Sequence, residues 1–136
     1  MEIMIVVILI GVIAAFAMPN YQKAIQKAHE RDAILQLTAI QAANLVYRSA
    51  YTHFYIGTFS NAGDINTALR INIIAQDGMS YTYLSDGKTF TATAIWSAGN
   101  DTFSIQVNEN PLSTTTAPLN PCCLAGTCLA ITGGCR

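Results

Sequence analysis

The sequence predicts an α+β fold: one long N-terminal helix packed, along its C-terminal half, on an antiparallel β-sheet of three or four strands, with a disulfide-closed C-terminal loop. Three observations predict it. The opening residues are apolar on every side of a helix and the following thirty or so on one side only; residues 81–107 alternate apolar and polar between turn formers; and all four cysteines fall in the last fifteen residues.

A chain of 136 residues suffices for one domain with one modest core. It divides into an apolar helix over residues 1–25 and a globular head over residues 26–136. Within the head the expectation is an amphipathic helix half (26–55), a loop (56–68), a β-meander (69–107) and a cysteine-rich tail (108–136). Charged residues make up 11% of the chain, against a usual share of roughly 25%, while 51% is apolar. That excess must be housed outside an ordinary soluble core. Net charge is −1, and the only basic cluster is Lys23, Lys27 and Arg31, so there is no electrostatic footprint for nucleic acid.

Residues 3–22 carry no formal charge, and residues 3–18 are apolar all round. A bilayer span takes about 17–25 apolar residues, so this run is short but sufficient. A cleaved signal peptide fits less well. The charged end is acidic at Glu2, the run is β-branched, and helical patterning continues beyond Pro19 without a small-residue cleavage site. Beyond Asn20 apolar positions recur at Ala33, Leu37, Ile40, Tyr47, Tyr51 and Phe54, with Asn44 as the one polar interruption. Residues 2–54 therefore read as one helix of about 75–80 Å at about 1.5 Å per residue. Its first half cannot fit within so small a domain and must lie in lipid or among other copies of itself. Gly11 and Pro19 are its weak points, and a bend is expected near Pro19.

Residues 57–68 are rich in turn formers and read as a loop, and residues 69–73 as a first strand or a short helix. Residues 81–84 and 89–96 make a hairpin about Asp86-Gly87, and residues 102–107 add a third antiparallel strand. Phe90, Ala92, Ala94, Trp96, Phe103, Ile105 and Val107 are expected to face the helix. The tail has three prolines and no apolar period, so cross-links must fix it. Vicinal Cys122 and Cys123 do not readily bridge each other. Two pairings remain open: 122–128 with 123–135, or 122–135 with 123–128. Disulfides place the head in an oxidising compartment.

No catalytic constellation is present. His29 and His53 stand alone, the cysteines lack zinc-ribbon spacing, and no phosphate-binding glycine loop occurs, so neither an enzyme, a metal site nor a cofactor is expected. Aromatics along the helix read as packing rather than as an electron path. Asn100 heads an N-x-Thr acceptor pattern, and Ser113, Thr114, Thr115 and Thr116 form a short tract of the O-glycosylated kind; a plain polar loop accounts for either. Glu2 caps an otherwise uncharged helix. It can rest at a membrane interface, or, in a helix bundle, it must find a cation and so sets the register between neighbours.

Glu2, Gly11 and Pro19-Asn20-Tyr21 stand at the mutual spacing found in type IV pilins and the related type II secretion pseudopilins, and the first 30 or so residues strongly resemble that family's N-terminal helix. The remainder carries no sequence match, although a helix, a meander and a disulfide-closed tail fit the pilin plan. The resemblance implies that Glu2 is the assembly glutamate, pairing with the terminal amine of an adjoining subunit, and that Gly11 and Pro19 are positions where the helix loosens in the fibre. It implies a leader removed by a prepilin peptidase and a methylated aromatic residue three positions ahead of Met1. It further implies an inner-membrane precursor, an assembly machinery driven by cytoplasmic ATPases, and a homopolymer at the bacterial surface, with adhesion, twitching motility, DNA uptake and secretion all open as its role. The major pilin of such a filament, or fimbrium, is the favoured reading. A pseudopilin of a periplasmic pseudopilus is the alternative, marked by a calcium site to which Asp77, Asp86, Asn100, Asp101 and Glu109 offer oxygens without EF-hand-like spacing. A membrane-tethered periplasmic domain that never polymerises is the reading from a different class.

Overall fold

A computed structural model of the chain describes residues 2–98, 101–113, 119–131 and 133–135, with the backbone alone at Glu2 and at residues 16–19. Helix α1 (Glu2–Tyr51) leads to β1 (Gly57–Phe59), α2 (Ala62–Leu69), β2 (Met79–Ser85), β3 (Phe90–Ala98), β4 (Asp101–Asn108) and β5 (Cys122–Gly126). The five strands lie side by side in chain order, and each neighbouring pair is antiparallel. This is the α+β arrangement of helix on antiparallel sheet that the two periodicities require.

Helix α1 runs unbroken for 50 residues, through Gly11 and Pro19. Its second half lies over β3 and β4. Ala33, Leu37, Ile40 and Asn44, one face at helical spacing, are fully buried there. The sheet answers with Tyr81 and Tyr83 from β2, Phe90, Ala92, Ala94 and Trp96 from β3, and Phe103, Ile105 and Val107 from β4, all buried as their alternation predicts. Alanines at 92 and 94 leave room beneath the helix, and aromatic rings fill the flanks. Phe54 meets Phe90 edge-on at 4.9 Å, and Trp96 stacks on Phe103 at 5.4 Å and on His29 at 5.0 Å.

The β2–β3 hairpin turns at Asp86-Gly87 as expected. Asp86 Oδ1 accepts from the N–H groups of Lys88 and Thr89, each at 2.8 Å. Those backbone donors, Thr89 first, hold its carboxyl below the usual carboxylate range. Gly87 takes φ +90°, which a residue with a Cβ resists.

Four expectations need correction. Residues 57–68 are not all loop: β1 pairs with the far end of β2, and α2 starts at Ala62 behind an Asn61 cap, whose Oδ1 accepts from Asp64 N at 2.8 Å. Gly63 and Asp64 weaken the helix signal, which the cap restores. Residues 69–73 form no strand; Leu69 closes α2 and the chain leaves through Arg70 in the left-handed region (φ 54°). Nor is the tail all loop, because β5 joins the edge of β4 across a bulge at Ser104/Ile105, giving a sheet of five strands rather than three or four. The bulge breaks the period that would have marked β5. The helix itself stops at Tyr51, short of residue 54, with Thr52 at φ 66°.

Leu37→Ala should destabilise the head by about 2–5 kcal/mol. The same change at Leu35, which is 68% exposed on the opposite side of the helix, should stay within about 0.5 kcal/mol. Denaturant titration of the chain in detergent, followed by near-ultraviolet circular dichroism, checks the contrast. Burial raises the pKa of both Tyr81 and Tyr83 above the ordinary 10.0, with the Asp32 carboxylate adding to the rise at Tyr81. The folded state thus keeps protons that the unfolded state releases, so stability is full below about pH 10 and falls as pH climbs beyond it. Spectrophotometric titration should show the exposed tyrosines ionising first and these two ionising together with unfolding.

Candidate functional site

The described residues hold one helix long and apolar enough to cross a membrane, and its apolar stretch has no burial inside the molecule. Ten large apolar side chains from Ile3 to Ile13 stand in the open, Ile3 at 81% exposure. A core helix of a soluble protein would be covered, and this one is bare on every side. At roughly 1.5–3 kcal/mol per large side chain, covering the ten is worth on the order of 15–30 kcal/mol, at least the whole stability of an ordinary domain. Gly11 lies within this stretch with open space around the position of a Cβ. Beyond it Lys23, Lys27 and Arg31 are exposed, so charge begins where the apolar run ends. Glu2 and Pro19 are helical in backbone, and their side chains lie outside the described residues.

At the other boundary of the bare segment, the tail is fastened to the helix. The disulfides are Cys122–Cys135 and Cys123–Cys128, one of the two pairings left open by the sequence. They fold residues 122–135 into a compact knot against the middle of α1. Glu30, fully buried, accepts hydrogen bonds from the backbone N–H groups of Leu129 (2.8 and 2.7 Å to its two oxygens) and Ala130. Gln26, one turn earlier, donates to Glu30 Oε1 at 3.0 Å and to the carbonyl of Thr127. A buried carboxyl group without such donors would be costly; here the irregular backbone of the knot supplies them, and the knot in turn has its N–H groups satisfied.

The same device recurs higher on the helix. Gln41 donates to the carbonyls of Asn108 (2.9 Å) and Asn110 (2.6 Å), and Asn120, fully buried, takes Asn108 N–H at 3.1 Å while donating to the same two carbonyls. The Asn120–Pro121 bond is cis. Asn44 accepts from Tyr83 Oη at 2.8 Å. Gln26, Glu30, Gln41 and Asn120 escaped the sequence reading. For the first three a signal was present: they fall on or beside the stripe of Ala33, Leu37 and Ile40, where a polar residue needs a buried partner.

Of the expected glycan acceptors, Asn100, Thr114, Thr115 and Thr116 lie outside the described residues. Ser113 is half-buried and paired with Asn120 through both backbone groups, at 2.8 and 2.9 Å. Among the described residues no three His, Cys, Asp or Glu side chains converge as a metal site. Compared with protein-family models, curated proteins and solved structures, the chain finds no match.

Removing the Glu30 carboxyl by Glu30→Ala strands the backbone donors of Leu129 and Ala130 and takes one of two acceptors from the Gln26 amide. It should cost about 2–4 kcal/mol in a thermal or denaturant melt of the oxidised chain. Amide exchange at Leu129 and Ala130 should accelerate before that of β3, because the knot is tied to the helix chiefly through this side chain.

Proposed function

We propose that the chain is the structural subunit of a type IV pilus-like filament, held in the bacterial inner membrane as a precursor and polymerised at the cell surface through its N-terminal helix. One observation carries the reading: an uncharged helix with ten large apolar side chains bare on every side projects from a head that is closed by its own core and two disulfides. A helix of this kind stays out of water only in lipid or among helices like itself. Exchanging lipid neighbours for sister helices keeps it dry throughout, so assembly need not expose it. Both disulfides suit a head facing an oxidising compartment.

On this reading Glu2 is the polar group that decides register. Carried into a bundle of apolar helices, a carboxylate must meet a cation, and the N-terminal amine of an adjoining subunit is the partner implied by the family that residues 2–21 resemble. Gly11 and Pro19 are the places where the helix gives way as copies pack. Prepilin peptidase and the pilus assembly machinery act on the precursor. The exposed Lys23, Lys27 and Arg31 sit where the helix leaves the bilayer, with long stems that reach phospholipid headgroups.

Glu2→Ala tests this directly. The variant should remain in the membrane fraction at wild-type level while filaments carrying the chain disappear from sheared surface material, scored by electron microscopy and mass spectrometry. A chain that is only a tethered periplasmic domain would never enter the sheared fraction and would ignore the substitution. A cleaved signal peptide would leave a mature chain lacking residues 3–18.

A further inference from the structure

At the end of α1 remote from the apolar segment lies a cleft that polymerisation through the helix does not use. It is a shallow, open cleft of about 540 Å³ between the last turns of α1, Tyr55 and the C-terminal end of α2, its volume within the range of about 300–1,000 Å³ common for small-molecule sites. Three tyrosines, Tyr47, Tyr51 and Tyr55, stand along a wall otherwise made of small and aliphatic side chains such as Val46 and Leu69. Tyr47 stacks on Tyr51 at 4.5 Å and meets Tyr55 edge-on at 5.2 Å. Tyr51 remains 58% exposed. The hydroxyl groups of these three tyrosines make no hydrogen bond among the described residues.

Arg70 stands at the rim, exposed, on a backbone of φ 54° and ψ 44°. A helix ending in this conformation ordinarily places glycine there, because a Cβ is disfavoured in the left-handed region. The arginine gives no internal return for that strain: its guanidinium has no carboxylate or carbonyl partner among the described residues. The nearby Arg48 is already engaged, its guanidinium 5.0 Å above the Phe54 ring. The cleft therefore offers an aliphatic floor, flat rings, unclaimed hydroxyls and one unclaimed planar cation.

From this geometry we infer that the cleft binds a carboxylated sugar ring of the uronate type. The C–H face of the pyranose lies on the tyrosine rings, its hydroxyls meet theirs, and its carboxylate is forked on Arg70. Each feature selects against another occupant. A single-stranded nucleic acid also stacks on tyrosines, but it lays several phosphates along a groove in which one cation is free. An aliphatic peptide side chain leaves the guanidinium and the hydroxyls unanswered. The Arg–carboxylate fork supplies direction as well as attraction. The inference stands independently of the filament reading, since it concerns the head alone.

The test uses the full chain in detergent micelles and tri-galacturonate as probe, with its methyl ester as the charge-free match, read by ligand-observed NMR and calorimetry. The acid should bind in the submillimolar to millimolar range and the ester more weakly. Arg70→Gln should weaken the acid about tenfold and leave the ester unchanged. Tyr51→Ala should weaken both, and Lys88→Gln, outside the cleft, neither. Arg70→Gly should raise the melting temperature while losing the preference for acid, a split that a purely structural arginine does not produce. Equal binding of acid and ester, no binding of either, or tighter binding of an oligothymidylate overturns the inference. So does concentration-dependent self-association that buries Tyr51, which would make a second copy the occupant. Filament loss in Glu2→Ala bears on none of these outcomes.

Discussion

Everything in this molecule is arranged around apolar surface that the chain cannot cover by itself. From Ile3 to Ile13 the helix has no partner within the molecule, and the free energy at stake is comparable to that which holds the head together. A helix answers this constraint where a strand would not, because its backbone groups are satisfied within the segment and need nothing from the surroundings. The same requirement makes the helix continuous with the head. A stalk docked through a flexible joint would leave helix ends, with unpaired N–H and C=O groups, near the boundary of the apolar zone. Extension of a helix already anchored by Ala33, Leu37 and Ile40 avoids a second nucleation.

The head solves a different difficulty. It is small, and about a quarter of it lies from Glu109 onward, where the described residues form no regular element besides β5. Such backbone cannot be packed against an apolar helix face without leaving polar groups unpaired. The helix therefore interrupts its own apolar stripe where the irregular chain crosses it: Gln26 and Glu30 under the disulfide knot, Gln41 under the link from β4 to β5, Asn44 under Tyr83. The disulfides limit how far the tail can stray when it unfolds, and the polar side chains fix where it lands. Cross-links alone would leave the knot closed on itself without orienting it on the helix.

How much of this was legible follows from where each signal resides. The long helix and strands β2, β3 and β4 announce themselves because period and length agree over many residues: Ala33, Leu37 and Ile40 in one case, Phe90, Ala92, Ala94 and Trp96 in the other. Strand β1 is three residues long, and α2 begins with Ala-Gly-Asp; neither is long enough for a period to outweigh turn-forming composition. The Asn61 cap that starts α2 shows in the structure, where its side chain accepts from Asp64 N–H. Strand β5 exists because β4 offers it an edge, a fact about tertiary pairing that Cys-Cys-Leu-Ala-Gly does not contain. The cysteine pairing was narrowed to two choices by sterics, and the choice between them was made by the course of the chain. Glu30 is the instructive miss. Its position on the core stripe was readable, but its acceptors' partners, Leu129 and Ala130, lie 99 and 100 residues away.

The helix also imposes a polarity on whatever the protein does. Its bare apolar segment and its tyrosine-lined end are far apart: Ile13 and Tyr47 are separated by about 51 Å of a helix about 75 Å long, at about 1.5 Å per residue. The continuous apolar surface is thus collected at one end, and a mixed surface with open hydroxyls, an unpaired arginine and scattered apolar side chains such as Val46 at the other. The two cannot compete for a partner. In a polymer built through the stalk, a weak site of this kind is repeated at every subunit, and a polysaccharide spanning several copies is held far more tightly than any single ring. A chain that never polymerised would have the same cleft without that gain, so the length of the helix matters for what its far end can do.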